Sequence, residues 1–159
     1  MKKEIRVFNQ RIVKKGIFDL NKTIKEVKEF LKESKYTTDE KQNISKDTDK
    51  GVENLIEIVS EREIDDFYLY KIGIEFFVTK LKKVSINDKK LDKGELEIRI
   101  IPKLVLDHKN KFHGWFGDFL FKLYRDYIIK DAIIKVHAAK LYLDGMAAFD
   151  LMKHNMDMH

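Results

Sequence analysis

The chain has 159 residues and no cysteine, and it carries 32 Lys and Arg against 27 Asp and Glu, a formal net charge of +5. This length predicts one domain, 1–159, that is large enough to form a stable hydrophobic core without disulfide bonds or bound metal ions. The missing cysteine excludes disulfides, thiolate metal sites and thiol nucleophiles. Because acidic and basic residues are interspersed, the charge favours a well-solvated surface over a dedicated nucleic-acid-binding role.

The N-terminal segment lacks the apolar region of a signal peptide, and no stretch of about 18 uncharged apolar residues occurs anywhere in the chain. We therefore expect a cytoplasmic protein without a transmembrane segment.

The first third of the chain predicts a strand, a helix and a loop. Apolar residues on both parities indicate a strand over 4–14. Asp19 is a suitable N-cap for an amphipathic helix that begins at Leu20. The polar segment 37–52 contains one aliphatic residue, Ile44, and is predicted to be a mobile loop.

Three strands are predicted between residues 55 and 106, and their short connections require antiparallel pairing. Asn87-Asp88 is a hairpin signal, and Pro102 places the last strand at an edge or a bulge because proline cannot donate a ladder hydrogen bond. Along 67–84 one parity is uniformly apolar or aromatic, which predicts a buried face. That face consists of Tyr68, Tyr70, Ile72, Ile74, Phe76 and Val78.

From Trp115 to about Lys153 the apolar period becomes that of a helix, which would exceed about 50 Å if unbroken. A bend near Lys130-Asp131 or a break at Gly145 is expected, followed by a frayed tail over 154–159. The predicted fold is α+β in the order β-α-β-β-β-α, with an antiparallel sheet of about four strands covered by this long C-terminal helix. The helix residues expected to be buried on the sheet are Leu120, Leu123, Tyr127, Ile134, Ala138 and Leu141.

No pattern in the chain indicates catalytic or cofactor chemistry. The seven glycines form neither a P-loop nor a dinucleotide-binding motif. His108 and His113 match no metal-ligand spacing, and Glu95 and Glu97 alternate with apolar residues as solvent-facing side chains do. We therefore expect no enzyme and no cofactor, while the soft ligands of the tail HNMDMH leave metal binding there open.

The C-terminal region is unusually aromatic, with two apolar stripes on its predicted helix. Phe121, Tyr124 and Ile128 form a stripe beside the one expected to face the sheet. Since one face is enough for packing on a sheet, the other stripe predicts a second core layer or a contact surface for a protein partner, another copy or a membrane interface. The predicted contact surface is Trp115, Phe121, Tyr124 and Ile128.

The function predicted first is a non-enzymatic protein-interaction or assembly module that uses this aromatic helix. An alternative is a binder of an apolar small molecule or lipid between sheet and helix. A third hypothesis is a nucleic-acid-binding protein, which only the net positive charge favours. The apolar-ligand face would be Tyr68, Tyr70, Ile72, Ile74 and Phe76.

Between Leu55 and Ile133 lie the segments IEIVSEREIDDFYLYKIGIEFFVTKLKKV, KGELEIRI and FLFKLYRDYIIKDAI. They cover about half the chain and resemble a family of small uncharacterised archaeal α+β proteins. That family has no assigned activity, so the resemblance implies a pattern of sheet and helix but no functional residues. The relatives continue in a Glu-rich helix, whereas VHAAKLYLDGMAAFDLM here is apolar. The order of elements is also similar to a reduced helix-grip domain, a lipid-binding architecture.

Overall fold

The computed structural model of the protein describes residues 2–111, 114–123, 126 and 136–157. These residues form six strands, which are β1 Lys3–Arg6, β2 Gln10–Phe18, β3 Thr37–Thr48, β4 Gly51–Glu63, β5 Tyr68–Ile86 and β6 Lys89–Leu106. They also form three α-helices, which are α1 Leu20–Glu33, α2 Gly114–Leu123 and α3 Ala138–Asp157.

All six strands belong to one antiparallel sheet. Strands β3 to β6 each pair with the next, and β6 pairs on its other side with β1 and β2. The β5–β6 turn contains Asn87 and Asp88, both with positive φ (50° and 63°), as in a two-residue type I′ hairpin. Helix α1 has the predicted N-cap, since the Asp19 carboxylate accepts a hydrogen bond from the backbone N–H of Lys22 at 3.1 Å.

The α+β class and the antiparallel sheet are confirmed, but the predicted strand count and the order β-α-β-β-β-α are wrong. The N-terminal segment forms two strands, because the chain leaves the ladder between Arg6 and Gln10. The segment 37–52, predicted as a loop, instead forms β3 and the turn into β4. Most side chains of β3 are exposed, so backbone pairing rather than apolar burial defines this edge strand.

Strand β6 is central, so Pro102 does not lie at an edge. The residues of β1 pair with 103–106 and those of β2 pair with 92–100, which leaves a gap in the neighbouring ladder beside Pro102. The Pro102 carbonyl accepts a hydrogen bond from the backbone N–H of Val7 at 2.9 Å in this gap. The missing N–H of proline therefore falls where the neighbouring strand is interrupted.

The prediction of one long C-terminal helix is also wrong. Helix α3 has 20 residues, or about 30 Å at 1.5 Å per residue, and α2 has ten. Helix α3 continues through Gly145, and the glycine there allows α3 to lie close against β6. A Cβ atom there would lie 2.7 Å from Pro102 Cγ and 3.0 Å from the Phe8 ring. The bend predicted at Lys130-Asp131 lies outside the described residues.

The end of α3 packs on α1 instead of fraying. Residues 154–157 continue the helix, although 154–159 were predicted as a tail. The Asn155 side-chain amide donates a hydrogen bond to Glu26 Oε2 on α1 at 2.6 Å, and Met156 is buried.

The core lies between one face of the sheet and the helices α1 and α3. The β5 face predicted from parity is buried there, together with Val27 and Leu31 of α1 and Leu141 and Met152 of α3. The burial of Leu141 is confirmed, and Ala138 is half-buried. The predicted burial of Leu120 and Leu123 is wrong, since both are exposed, and Tyr127 and Ile134 lie outside the described residues.

Candidate functional site

Helix α2 turns a continuous apolar stripe toward solvent. Its members have exposed fractions from 38% at Leu120 to 82% at Trp115. At 3.6 residues per turn they span an arc of roughly 140° on the helix. We call this set the α2 stripe, and it consists of Trp115, Phe116, Phe119, Leu120 and Leu123.

Phe121 projects from the other side of α2 and fixes the helix to the core. Its side chain is only 1% exposed, and its ring centroid lies 5.9 Å from that of Phe67, just before β5. The predicted burial of Leu120 and Leu123 is therefore wrong, while the burial of Phe121 agrees with a second core layer, one of the two alternatives that the sequence left open for its stripe. Both sides are apolar, so periodicity finds the two stripes but cannot say which one meets the sheet.

The predicted contact surface is thus divided by the structure. Trp115 is exposed as expected, and Phe121 belongs to the core. Tyr124 and Ile128 lie outside the described residues. Phe116, Phe119, Leu120 and Leu123 take their place beside Trp115, at spacings of one, three and four residues that are visible in the sequence.

Two opposite charges lie one turn apart along one flank of the α2 stripe. Asp118 and Lys122 are both exposed, and neither forms an ion pair with another described residue. Two nearby lysines are already paired, since Lys109 Nζ lies 3.0 Å from Glu63 and Lys111 Nζ lies 2.7 Å from Asp66. Among these described residues, the basic side chains Lys109 and Lys111 are thus paired with acidic ones.

A polar cluster joins the inner face of the sheet to the start of α3. The Tyr70 hydroxyl and His137 Nδ1 are hydrogen-bonded at 2.8 Å, and the Tyr68 ring stacks on His137 with centroids 3.9 Å apart. Nearby, the Tyr36 hydroxyl donates to Asp144 Oδ2 at 2.8 Å. These contacts were missed by sequence reasoning, because the three tyrosines and the two helix residues come from distant parts of the chain.

Burial dominates the electrostatics of this cluster. It raises the pKa of Tyr70, which Asp144 raises further and Arg62 lowers. It also raises the pKa of Tyr36 well above its ordinary value, helped by the hydrogen bond to Asp144. Burial lowers the pKa of His137 and outweighs the opposite influence of Asp65. These directions keep the side chains of Tyr36, Tyr70 and His137 uncharged at neutral pH.

The lowered pKa of His137 gives stability a predictable pH dependence. The folded state binds fewer protons than the unfolded chain, whose histidine titrates near 6.5. Stability is therefore expected to fall as the pH drops through this value, measured by urea unfolding between about pH 8 and about pH 5. His137→Gln should remove this part of the slope. An unchanged slope in the variant would contradict the assignment.

The predicted apolar-ligand face lies within the core. Tyr68, Tyr70, Ile72, Ile74 and Phe76 are all buried, and they share one cluster with side chains of α1 and α3. Strand alternation along β5 places all five on the same, apolar face of the sheet, as their shared parity predicts. The described part of the chain therefore uses this face for packing.

Three further observations limit the chemistry of the described residues. No three histidine or carboxylate side chains among them form a group that could hold a metal ion. No helix among them is long and apolar enough to span a bilayer. His108 lies against the backbone, with Nε2 at 2.5 Å from the Asp65 carbonyl oxygen.

No protein-family model matches this chain, and no curated protein or solved structure is significantly similar to it. The resemblance to small archaeal proteins therefore stays a prediction.

Proposed function

We propose that the chain is a non-enzymatic assembly module that self-associates by packing the α2 stripe against the α2 stripe of a second copy. The observation that carries this proposal is the exposure of five apolar side chains on a helix held in place by Phe121. Weighted by their exposed fractions, the three aromatic side chains alone offer on the order of 400 Å². Apolar patches of this size on soluble proteins are often functional.

The flanking charges favour a second copy as the partner. A two-fold dimer uses the same surface on both subunits, so that surface must be complementary to itself. In an antiparallel pair of α2 helices whose two-fold symmetry axis passes near Leu120, Asp118 of one copy faces Lys122 of the other. The symmetry then places Lys122 of the first copy opposite Asp118 of the second. Phe116 then lies near Leu123 of the second copy. One helix thus supplies apolar contacts and two ion pairs to the same interface.

A membrane surface is less well matched to this helix. Anionic bilayers attract clusters of unpaired basic residues next to an apolar face. Here Lys109 and Lys111 are engaged by acidic side chains, and Asp118 lies beside the stripe.

The area of the α2 stripe is suited to a protein interface. Stable protein interfaces bury about 800 Å² per partner, and the aromatic rings of the stripe supply about half of that area.

Exchanging the flanking charges tests the proposed geometry. Asp118→Lys places like charges opposite each other in both symmetry-related pairs, so the dimer dissociation constant should rise about tenfold at low salt. The double variant Asp118→Lys/Lys122→Asp restores opposite charges and should return within about threefold of the original value. Sedimentation equilibrium measures both constants.

Thermal melts serve as the control for folding, since both side chains are exposed and neither change should alter the monomer core. If the double variant dissociates as readily as Asp118→Lys, the two residues do not face each other and the antiparallel arrangement is excluded.

A further inference from the structure

A lysine-rich concavity lies on the sheet, away from α2. Helix α2 is anchored beside the first residues of β5, whereas this concavity is lined by residues a dozen positions further along the strand. Its volume is about 340 Å³. We call it the lysine concavity, and its lining residues are Lys15, Gly16, Lys50, Lys80, Lys82, Lys93, Gly94 and Glu95.

Glycines and a bulge shape the lysine concavity. Gly16 on β2 pairs with Gly94 on β6, and no atom lies within 4 Å of the point where a Gly16 Cβ would be, so the backbone there is uncovered. The β5 register shifts between Thr79 and Lys82, and Lys80 has a φ of 55°. A Cβ on Gly94 would lie 2.7 Å from the Thr79 carbonyl oxygen. Only glycine lets β6 pass this close to the bulge.

The lysine concavity carries a large local excess of positive charge. Five ammonium groups line it against one carboxylate, and Lys80 Nζ lies 3.3 Å from Glu95. The other four lysines form no ion pair with any described residue. Like charges of this density repel each other, and an anion bound among them relieves that repulsion.

We propose that the lysine concavity binds an oligophosphate, meaning a small molecule with two or more linked phosphate groups. Lysine binds phosphate as a compact point charge on a flexible stem, so several lysines can follow a phosphate chain. The lining includes no arginine for the planar, two-pronged recognition of carboxylates. It includes no aromatic ring on which a nucleobase could stack, so a nucleotide would be held by its phosphates alone. This site does not depend on the proposed self-association.

Calorimetric titration with inorganic tripolyphosphate at low salt tests the proposal. Saturable binding with one ligand per chain is expected, and adenosine triphosphate should bind within about threefold of it because the base makes no stacking contact. Lys82→Gln/Lys93→Gln should weaken tripolyphosphate binding at least about tenfold. The matched control Lys25→Gln/Lys32→Gln changes the net charge equally on exposed positions of α1 and should leave the affinity within about twofold.

Three results would overturn the proposal. The first is an absence of saturable tripolyphosphate binding. The second is an equal loss of affinity in both double variants, which would mean that only the overall charge matters. The third is binding of a single-stranded RNA oligomer that is lost in Lys82→Gln/Lys93→Gln while tripolyphosphate does not compete for it, which would assign the concavity to nucleic acid. Thermal melts confirm that the variants fold, since all four lysines are exposed.

Discussion

Replacing Phe76 by alanine is expected to lower the free energy of unfolding by about 3–5 kcal/mol, the range for truncating a buried phenylalanine. Phe76 has no exposed surface and lies in the core cluster between β5 and the helices. Its neighbour Phe77 points to the other face of the sheet and is 40% exposed. Phe77→Ala should therefore cost less than about 1.5 kcal/mol.

Urea unfolding of the two variants at one fixed protein concentration measures this difference, because self-association makes apparent stability depend on concentration. The pair is matched in residue type, strand and chemical change, so only the face of the sheet differs. Equal losses at the two positions would mean that α1 and α3 do not cover the face described here.

Introducing two charges into the α2 stripe is expected to abolish self-association. In Phe119→Glu/Leu120→Glu, carboxylates replace apolar side chains at the centre of the proposed interface, where burying them without partners is costly. Central interface residues contribute about 2 kcal/mol or more each, so the dimer dissociation constant should rise about a thousandfold. Sedimentation velocity should then show one chain at concentrations where the original protein is paired.

Val13→Glu/Ile44→Glu is the matched control for this variant. Both control positions are exposed apolar residues, on β2 and β3, and neither belongs to α2. This control should keep the original dissociation constant within about threefold. If it dissociates the protein as strongly as the α2 variant, the association depends on net charge and not on the α2 stripe.

Local sequence patterns correctly predicted the features that depend only on residues close together in the chain. The Asp19 cap, the Asn87-Asp88 turn and the apolar parity of β5 each depend on neighbours in sequence. Strand β3 could not be found in this way, because it is a polar edge strand that owes its conformation to backbone pairing with β4. The apolar period of the C-terminal region also runs through both α2 and α3, so it could not reveal that they are separate elements of the structure.

The candidate surfaces were predicted only in part, for a related reason. Trp115 was identified, but the side of α2 that packs is decided by the fit of Phe121 against Phe67, which is a tertiary contact. The lysine concavity gathers residues from β2, β5, β6 and the turn before β4, and its outermost lining residues in numbering are Lys15 and Glu95. No window of the sequence contains that charge cluster.

Light scattering of the unmodified protein over about 1 µM to about 1 mM tests self-association most directly. The α2 stripe predicts a mass that rises with concentration from that of one chain, 18.9 kDa, toward that of two chains and no further, since a two-fold interface closes on itself. A mass of one chain at every concentration would contradict the proposal.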